Sequence, residues 1–287
     1  MSQDVLVIIG TGGMGLATAR RIGAGRSLLL ADNSPQRLDA AARVLRAEGY
    51  QVTTRQTDVA DHGAVAGLAG LAAGMGTPRQ VVHTAGVSPA QAPVPAILAV
   101  DLCGVGYVVE EFGRVIAPGG AGVVIASMAG RTLGGLPADQ ERRLASVPAD
   151  ELGGLPFAAA ERFGSGGHAY AFAKHANVLR VRHAAASWGR RGARINSVSP
   201  GVISTALGRA ELDSPIGGAV QSMIDGSPAR RIGTADDVAA AVEFLLGPGA
   251  SYITGADLLV DGGVTAALSS GDIDLAGILR QVAAQSA

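Results

Sequence analysis

Short apolar runs alternate along the chain with longer, alanine-rich stretches of helical character. The runs include VLVII near the N-terminus, then SLLLA, QVVHT, AGVVIAS and, near the end, ADLLV. A strand that is apolar at nearly every position must be buried on both faces, and strands separated by roughly ten or more helical residues pair in parallel. The sequence therefore predicts a doubly wound α/β fold with about seven parallel strands and with helices on both faces of the sheet.

One stretch interrupts this alternation. Residues 131–167 contain prolines, paired glycines and mixed charges, but no strand pattern. Loops of this length in compact domains usually cover a site or are disordered. The stretch follows an apolar run that ends at Ser127, on the edge where ligands bind such sheets. We interpret it as a substrate-covering insertion with short helices near 139–144 and 148–152; an oligomer contact or a disordered loop is the alternative.

Composition excludes several other classes of protein. No apolar run approaches the roughly 18 residues that cross a bilayer, and the start, MSQDVLVIIG, lacks the basic flank of a signal peptide. The net charge is −1 and the arginine pairs are scattered, which does not indicate a nucleic-acid or membrane partner. The single cysteine cannot form an internal disulfide. We therefore expect a cytoplasmic protein of one domain, residues 1–287, with a C-terminal tail at 265–287.

A glycine-rich turn, GTGGMG, follows the first apolar run. Gly10, Gly12 and Gly15 form a G-x-G-x-x-G arrangement in which bare backbone and a helix N-terminus can hold a pyrophosphate. Asp32 ends the second run, where a carboxylate can accept hydrogen bonds from the adenosine ribose and repel the 2′-phosphate of NADP. Because no arginine directly follows Asp32, the sequence favours NAD. A capping carboxylate before Pro35 is the alternative role for Asp32.

Tyr170 and Lys174 lie about one helical turn apart, so both project from one face of a predicted helix. Lys174 is the only lysine in the chain. A free phenol has a pKa near 10, and an ammonium together with a cationic nicotinamide can lower the phenol pKa by about three units, into the range of a general acid or base. Ser127 can place its hydroxyl beside the phenol and bind a substrate oxygen. Taken alone, each of these residues is usually a packing or capping residue.

Together, these motifs resemble those of the short-chain dehydrogenase/reductase family in its common single-domain type, with a Rossmann-like fold. The resemblance runs from about Val5 to Gly263. It is carried by the glycine turn, Asp58-Val59, Ala85-Gly86, Ser127, Tyr170-x-x-x-Lys174, INSVSPGVISTAL, and the ending RRIGTADDVAAAVEFLLGPGASYITGADLLVDGG. The long insertion resembles that of relatives such as bacterial 3α-hydroxysteroid dehydrogenase/carbonyl reductase.

The resemblance implies a role for individual residues of this chain. Tyr170 would donate or accept the proton, Ser127 would orient the substrate oxygen, and Lys174 would lower the pKa of the tyrosine and hold the nicotinamide ribose. The segment 204–227 would form a mobile pair of substrate-binding helices. Further residues are expected to contact the cofactor: Gly10, Gly12, Gly13, Met14, Gly15, Asp32, Asp58, Val59, Ala85, Gly86, Pro200, Gly201, Ile203 and Thr205.

The chain departs from the family pattern at several positions. Ile8 and Ile9 stand where the pattern T-G-x-x-x-G-x-G has Thr and Gly, so the turn must be shorter or differently placed. His83 replaces an asparagine, and we interpret it as a packed or hydrogen-bonded residue. Asp101 stands where a fourth catalytic residue, an asparagine, is expected. Its backbone carbonyl can still hold a water linked to Lys174, but its carboxylate adds a competing charge.

Two hypotheses about function follow. The first is an NAD(H)-dependent oxidoreductase that interconverts a secondary alcohol and a ketone, with Ser127, Tyr170, Lys174 and Asp101 as its catalytic residues. The second is an NAD(H)-binding regulator or scaffold with little or no turnover. The expected partners are a small alcohol or ketone and copies of the same chain in a homodimer or homotetramer, with no metal, nucleic acid or membrane.

Overall fold

A seven-stranded parallel sheet forms the centre of the protein, in the strand order β3-β2-β1-β4-β5-β6-β7. The computed structural model describes residues 3–132, 135–274 and 277. The strands are β1 (Asp4–Ile9), β2 (Ser27–Asp32), β3 (Gln51–Gln56), β4 (Thr77–His83), β5 (Ala121–Ile125), β6 (Arg194–Pro200) and β7 (Asp257–Val260). This order confirms the predicted doubly wound sheet. The strand order reverses between β1 and β4, and ligands of such folds bind at that point.

Helices cover both faces of the sheet. They are α1 (Gly13–Ile22), α2 (Pro35–Ala47), α3 (His62–Met75), α4 (Val94–Ile97), α5 (Val105–Val115), α6 (Ala138–Ser146), α7 (Gly166–Arg190), α8 (Ala206–Leu212), α9 (Gly217–Gly226), α10 (Ala235–Leu246) and α11 (Val264–Ser270). A π-helical segment, Leu98–Gly104, joins α4 to α5. Within the described ranges, no helix is both long and apolar enough to cross a membrane. The predicted tail begins in α11, and most of it lies outside the described residues.

Alternate residues of each strand contribute to two separate cores. Val5, Val7 and Ile9 of β1 pack with α3, α5 and α7. Leu6 and Ile8 point the other way and pack with α1, α2 and α10. A strand that packs on both faces cannot tolerate a polar residue at any of these positions, which explains its continuous apolar run.

Trp188 of α7 anchors the first core. Its side chain is 1% exposed, and its indole N–H donates a hydrogen bond to the Val109 carbonyl at 3.1 Å. A Cβ atom built on Gly122 of β5 would lie 2.6 Å from the ring. The glycine therefore makes room for the indole between the sheet and the helices.

The insertion packs against the helices beside the sheet. The predicted short helices are confirmed as α6 and a 3₁₀ segment, Ala149–Gly154. The buried Arg180 guanidinium of α7 donates to the carbonyls of Leu144 and Val147, both at 3.0 Å, and pairs with Glu110 at 2.8 Å. Leucines of the insertion join a small core with Phe172 of α7. The segment is thus held through buried contacts to α5 and α7.

Candidate active site

The glycine turn between β1 and α1 brings backbone close to backbone. Gly10 has φ +95°, and a Cβ atom there would lie 2.5 Å from the amide nitrogen of Ala85. A Cβ atom on Gly15 would lie 1.9 Å from the Gly10 carbonyl oxygen, so neither position admits a side chain. Ile8 and Ile9 are buried residues of β1. The turn therefore starts at Gly10, which accounts for the departure from the family pattern.

Protein donors surround the Asp32 carboxylate. Its Oδ2 accepts hydrogen bonds from the Thr11 amide at 2.8 Å and the Thr11 hydroxyl at 2.9 Å. Its Oδ1 accepts from the Ser34 amide at 2.9 Å and from the Arg37 guanidinium at 3.0 Å. Burial raises the pKa of Asp32, but these hydrogen bonds from Ser34, Thr11 and Arg37 outweigh burial and hold the pKa below its usual value.

Arg37 is a site residue that sequence reasoning missed. The sequence motif places such an arginine directly after Asp32, whereas Arg37 lies in the first turn of α2 and reaches back to the carboxylate. The sequence feature that could have identified Arg37 is its position at the start of the helix that follows the strand ending at Asp32. A guanidinium beside Asp32, where the sequence predicts the adenosine ribose, bears on the choice between NAD and NADP.

A cleft of about 420 Å³ lies along the strand ends at the switch point. Arg37, Thr57 and Thr84, which were not among the predicted site residues, also border it. The predicted cofactor residues that border it are Gly10, Gly12, Gly13, Met14, Asp32, Asp58, Val59, Ala85, Gly86 and Thr205. Gly15 does not border this cleft, nor the second cavity described below. Its lack of a side chain allows the helix to pack against the Gly10 carbonyl.

A second cavity, of about 440 Å³, adjoins the cleft and shares Met14, Gly86 and Thr205 with it. Most of its remaining lining is apolar. The predicted residues that border it are Ser127, Tyr170, Lys174, Pro200, Gly201 and Ile203. Of the described insertion residues, only Gly167 borders it. The interpretation of 131–167 as a substrate cover is therefore wrong for the described residues, because their apolar side chains pack on α5 and α7 instead.

Lys174, which borders this cavity, forms a buried ion pair with Asp101, which lies behind it. Lys174 Nζ lies 2.9 Å from Asp101 Oδ1 and 5.3 Å from the centre of the Tyr170 ring. The π-helical segment carries Asp101, and its Oδ2 accepts a hydrogen bond from the Val87 amide at 3.2 Å. Segments of this kind are frequent at functional sites. A Cβ atom on Gly86 would lie 2.6 Å from Asp101 Oδ1 and 3.2 Å from Lys174 Nζ, so the pair is tightly enclosed.

Asp101 changes the electrostatics expected at Tyr170. Burial is the largest effect on the half-buried Tyr170 and raises its pKa. Lys174 lowers the pKa, Asp101 and Glu211 raise it, and a hydrogen bond with the Ser127 hydroxyl lowers it. The net result is a pKa above the usual value. Burial lowers the pKa of Lys174, but Asp101 and Tyr170 raise it above its usual value, so the amine stays charged. The sequence alone predicts that Lys174 and nicotinamide together lower the pKa of Tyr170. In the protein alone, burial and the Asp101 carboxylate outweigh Lys174.

His83 is not suited to act as a base. It lies at the end of β4 with 1% of its surface exposed. Burial, and then the charge of Lys174, lower its pKa to about 3, so the ring is neutral near pH 7. Among the residues that the structure describes, no group of three or more His, Cys, Asp and Glu side chains is arranged to hold a metal ion.

Two family profiles match most of the chain. The profile described as short chain dehydrogenase matches residues 3–136, and the profile described as enoyl-(acyl carrier protein) reductase matches residues 154–265. The two matches leave out residues 137–153, in the middle of the insertion. Both halves of the sheet therefore carry the sequence pattern of dehydrogenases and reductases.

Individual relatives show the same similarity. The chain is 40% identical over 270 residues to the short-chain dehydrogenase/reductase bsc3 of Alternaria brassicicola, covering 94% of this chain and 98% of the relative. It is 36% identical over 104 residues to 3-alpha-hydroxysteroid dehydrogenase/carbonyl reductase of Comamonas testosteroni, covering 36% of this chain and 40% of the relative. A crystal structure of levodione reductase superposes with a TM-score of 0.72 at 28% identity, covering 92% of this chain and 98% of the other. The chain belongs to the short-chain dehydrogenase/reductase family of oxidoreductases.

Proposed function

We propose that this protein is an NAD(H)-dependent oxidoreductase that interconverts a secondary alcohol and a ketone. One observation carries the proposal: Ser127, Tyr170 and Lys174 border a single cavity that adjoins the cleft at the switch point of the sheet. A substrate in the cavity would therefore meet a hydroxyl, a phenol and an ammonium beside the cofactor cleft.

The cleft fits a dinucleotide. Bare backbone at Gly10 and Gly15 and the N-terminus of α1 would hold the pyrophosphate, since no side chain can intrude there. Asp32 would accept hydrogen bonds from the adenosine ribose if Arg37 turns away, because protein donors already fill both carboxylate oxygens. A buried carboxylate at this position supports NAD over NADP.

Each polar residue of the cavity would have a separate role in the reaction. When bound, the nicotinamide supplies a hydride to the ketone carbon or accepts one from the alcohol carbon. Tyr170 would take the hydroxyl proton at its phenolate oxygen during oxidation and return a proton to the ketone oxygen during reduction. Ser127 would bind the same substrate oxygen, and Lys174 would favour the phenolate. The apolar walls would exclude water from the reacting atoms.

The experiment that tests this function is a screen of secondary alcohols and ketones with NAD, NADH, NADP and NADPH, in parallel with calorimetric measurement of cofactor binding. We expect turnover with at least one alcohol and ketone pair. Tight binding of NADH without turnover of any substrate would instead support the NAD(H)-binding regulator.

Replacing Asp32 with alanine should relax the preference for NAD. The change removes the charge that repels a 2′-phosphate and releases Arg37, which can then pair with that phosphate. We expect the ratio of kcat/KM for NAD to that for NADP to fall at least about tenfold, equivalent to ~1.4 kcal/mol. Asp39→Ala, which removes an exposed carboxylate from α2, the helix that carries Arg37, is the matched control and should leave the ratio unchanged. A wild-type protein that prefers NADP would contradict the assignment.

Replacing Asp101 with asparagine should shift the pH dependence of turnover. The Asp101 carboxylate raises the pKa of Tyr170, so its removal lowers that pKa. Oxidation requires the phenolate, and therefore the acid limb of kcat/KM for the alcohol should move to lower pH. The alkaline limb of ketone reduction, which requires the phenol, should move in the same direction. A purely structural role for Asp101 would reduce the rate at every pH without moving either limb.

A further inference from the structure

The substrate cavity contains a charge that the proposed chemistry does not use. Of the described residues, Lys174 and Glu211 are the charged ones that border it. Lys174 is paired with Asp101 at 2.9 Å. Glu211 is half-buried, and the structure gives its carboxylate no hydrogen bond or ion pair with any described residue. Once the Lys174 pair is counted as neutral, the cavity has one uncompensated negative charge.

The position of α8 places Glu211 at the border of the cavity. The Thr205 hydroxyl caps the helix by accepting a hydrogen bond from the Gly208 amide at 3.2 Å. A Cβ atom on Gly208 would clash with the Ile203 carbonyl oxygen, so the start of the helix packs too closely on the preceding segment to admit a side chain there. Leu207 and Gly208 border the cavity, and Glu211 lies one turn further on the same face.

The carboxylate lies in a poorly solvated place and acts on the catalytic end of the cavity. Burial raises the pKa of Glu211. Glu211 in turn raises the pKa of Tyr170, which places its charge near the reacting groups. An unpaired, partly buried carboxylate is disfavoured unless a ligand donates a hydrogen bond to it. A site built around such a group rejects analogues that lack the donor.

We propose that Glu211 sets substrate specificity by accepting a hydrogen bond from a donor that the substrate carries away from its reacting carbon. The substrate class is then a hydroxylated or amine-bearing ketone or secondary alcohol with an otherwise apolar body. A substrate with a carboxylate at that end is excluded by repulsion. The inference rests on the proposed function, because it uses the same cavity.

The probes are linear methyl ketones of several chain lengths that end in a hydroxyl, an ammonium, a methyl or a carboxylate group. Several lengths are needed because the donor must reach Glu211 while the ketone lies at Tyr170. Binding to the NADH-loaded protein is measured by calorimetry, and kcat and KM are measured separately. We expect the best hydroxyl or ammonium probe to bind about 10- to 100-fold more tightly than its methyl counterpart, as for a hydrogen bond to a charged group.

Two variants distinguish the hydroxyl from the ammonium. Glu211→Gln keeps an acceptor oxygen and loses the charge, so the hydroxyl preference should persist in part and the ammonium preference should disappear. Glu211→Met should lose both preferences and should bind the methyl probe as tightly as the hydroxyl and ammonium probes. Asp213→Asn, which removes an exposed charge two residues away, is the control and should leave the ranking unchanged.

The outcomes separate this inference from the proposed function. If the wild type binds the donor probes no better than the methyl probe, or binds none of them, the specificity role of Glu211 is overturned. Tightest binding of the carboxylate probe by the wild type overturns it as well. If the donor preference is present and depends on Glu211 but no probe is turned over, the specificity role stands and the proposed oxidoreductase activity with these ketones is what fails.

Discussion

Replacing Tyr170 with phenylalanine should lower kcat by about 10²- to 10⁴-fold while NADH still binds. In the proposed mechanism, the phenol oxygen exchanges a proton with the substrate. Tyr170 borders the cavity together with Ser127 and Lys174, and both of these residues lower its pKa. The ring itself remains, so the packing of α7 should be retained. The measurement is kcat with the alcohol and ketone pair found in the screen, together with calorimetry of NADH binding.

A second tyrosine provides the matched control. Tyr107 of α5 stacks on His62 with ring centres 4.6 Å apart, and it borders neither the cofactor cleft nor the substrate cavity. Tyr107→Phe removes the same hydroxyl from a place outside the proposed site and should leave kcat within about twofold, as surface changes usually do. Tyr170→Phe with more than a tenth of wild-type activity would exclude a direct proton transfer through this residue.

Replacing Lys174 with arginine, although it conserves charge, should lower kcat on the order of 10²-fold or more. The ammonium is enclosed, because a single Cβ atom on Gly86 would already lie 3.2 Å from Nζ and 2.6 Å from Asp101 Oδ1. A planar guanidinium is larger than an ammonium and carries five N–H donors, which cannot all find partners in this space. The substitution should therefore displace Asp101 or Tyr170.

The Lys174→Arg experiment measures kcat and KM for both directions of the reaction, with circular dichroism to confirm folding. Arg190→Lys, the reverse exchange at an exposed position of the same helix, is the control and should have no effect on kcat. Wild-type turnover in Lys174→Arg would show that only the charge at this position matters. The prediction also gives a physical reason why the chain keeps a lysine here.

Local patterns predicted the parts of the fold that depend on neighbouring residues. Continuous apolar runs predicted a parallel sheet, and the order of its strands confirms a doubly wound arrangement. The spacing of Gly10, Gly12 and Gly15 predicted a tight turn of bare backbone that opens a helix, and the structure has that turn between β1 and α1. Tyr170 and Lys174 lie on one helix face because their separation fixes it.

Features that depend on tertiary distances could not be predicted in the same way. Arg37 reaches Asp32 only because α2 starts close to the end of β2. The opposing effects of Asp101 and Lys174 on the pKa of Tyr170 depend on burial as well as charge, and the sequence shows only the charge. The insertion was placed over the substrate because of its position in the chain, whereas Arg180 and the leucine contacts hold it elsewhere.

Trp188 fluorescence reports whether the protein is folded. It is the chain's only tryptophan, so the tryptophan emission comes from one indole, which lies in the core between α5, α7 and β5. That indole should emit at short wavelength when folded and shift to the red when unfolding exposes it to water. Trp188 borders neither cavity, so substitutions at Tyr170, Lys174 or Glu211 should leave the emission maximum unchanged. A red-shifted variant has lost its core, and its low activity then says nothing about proton transfer.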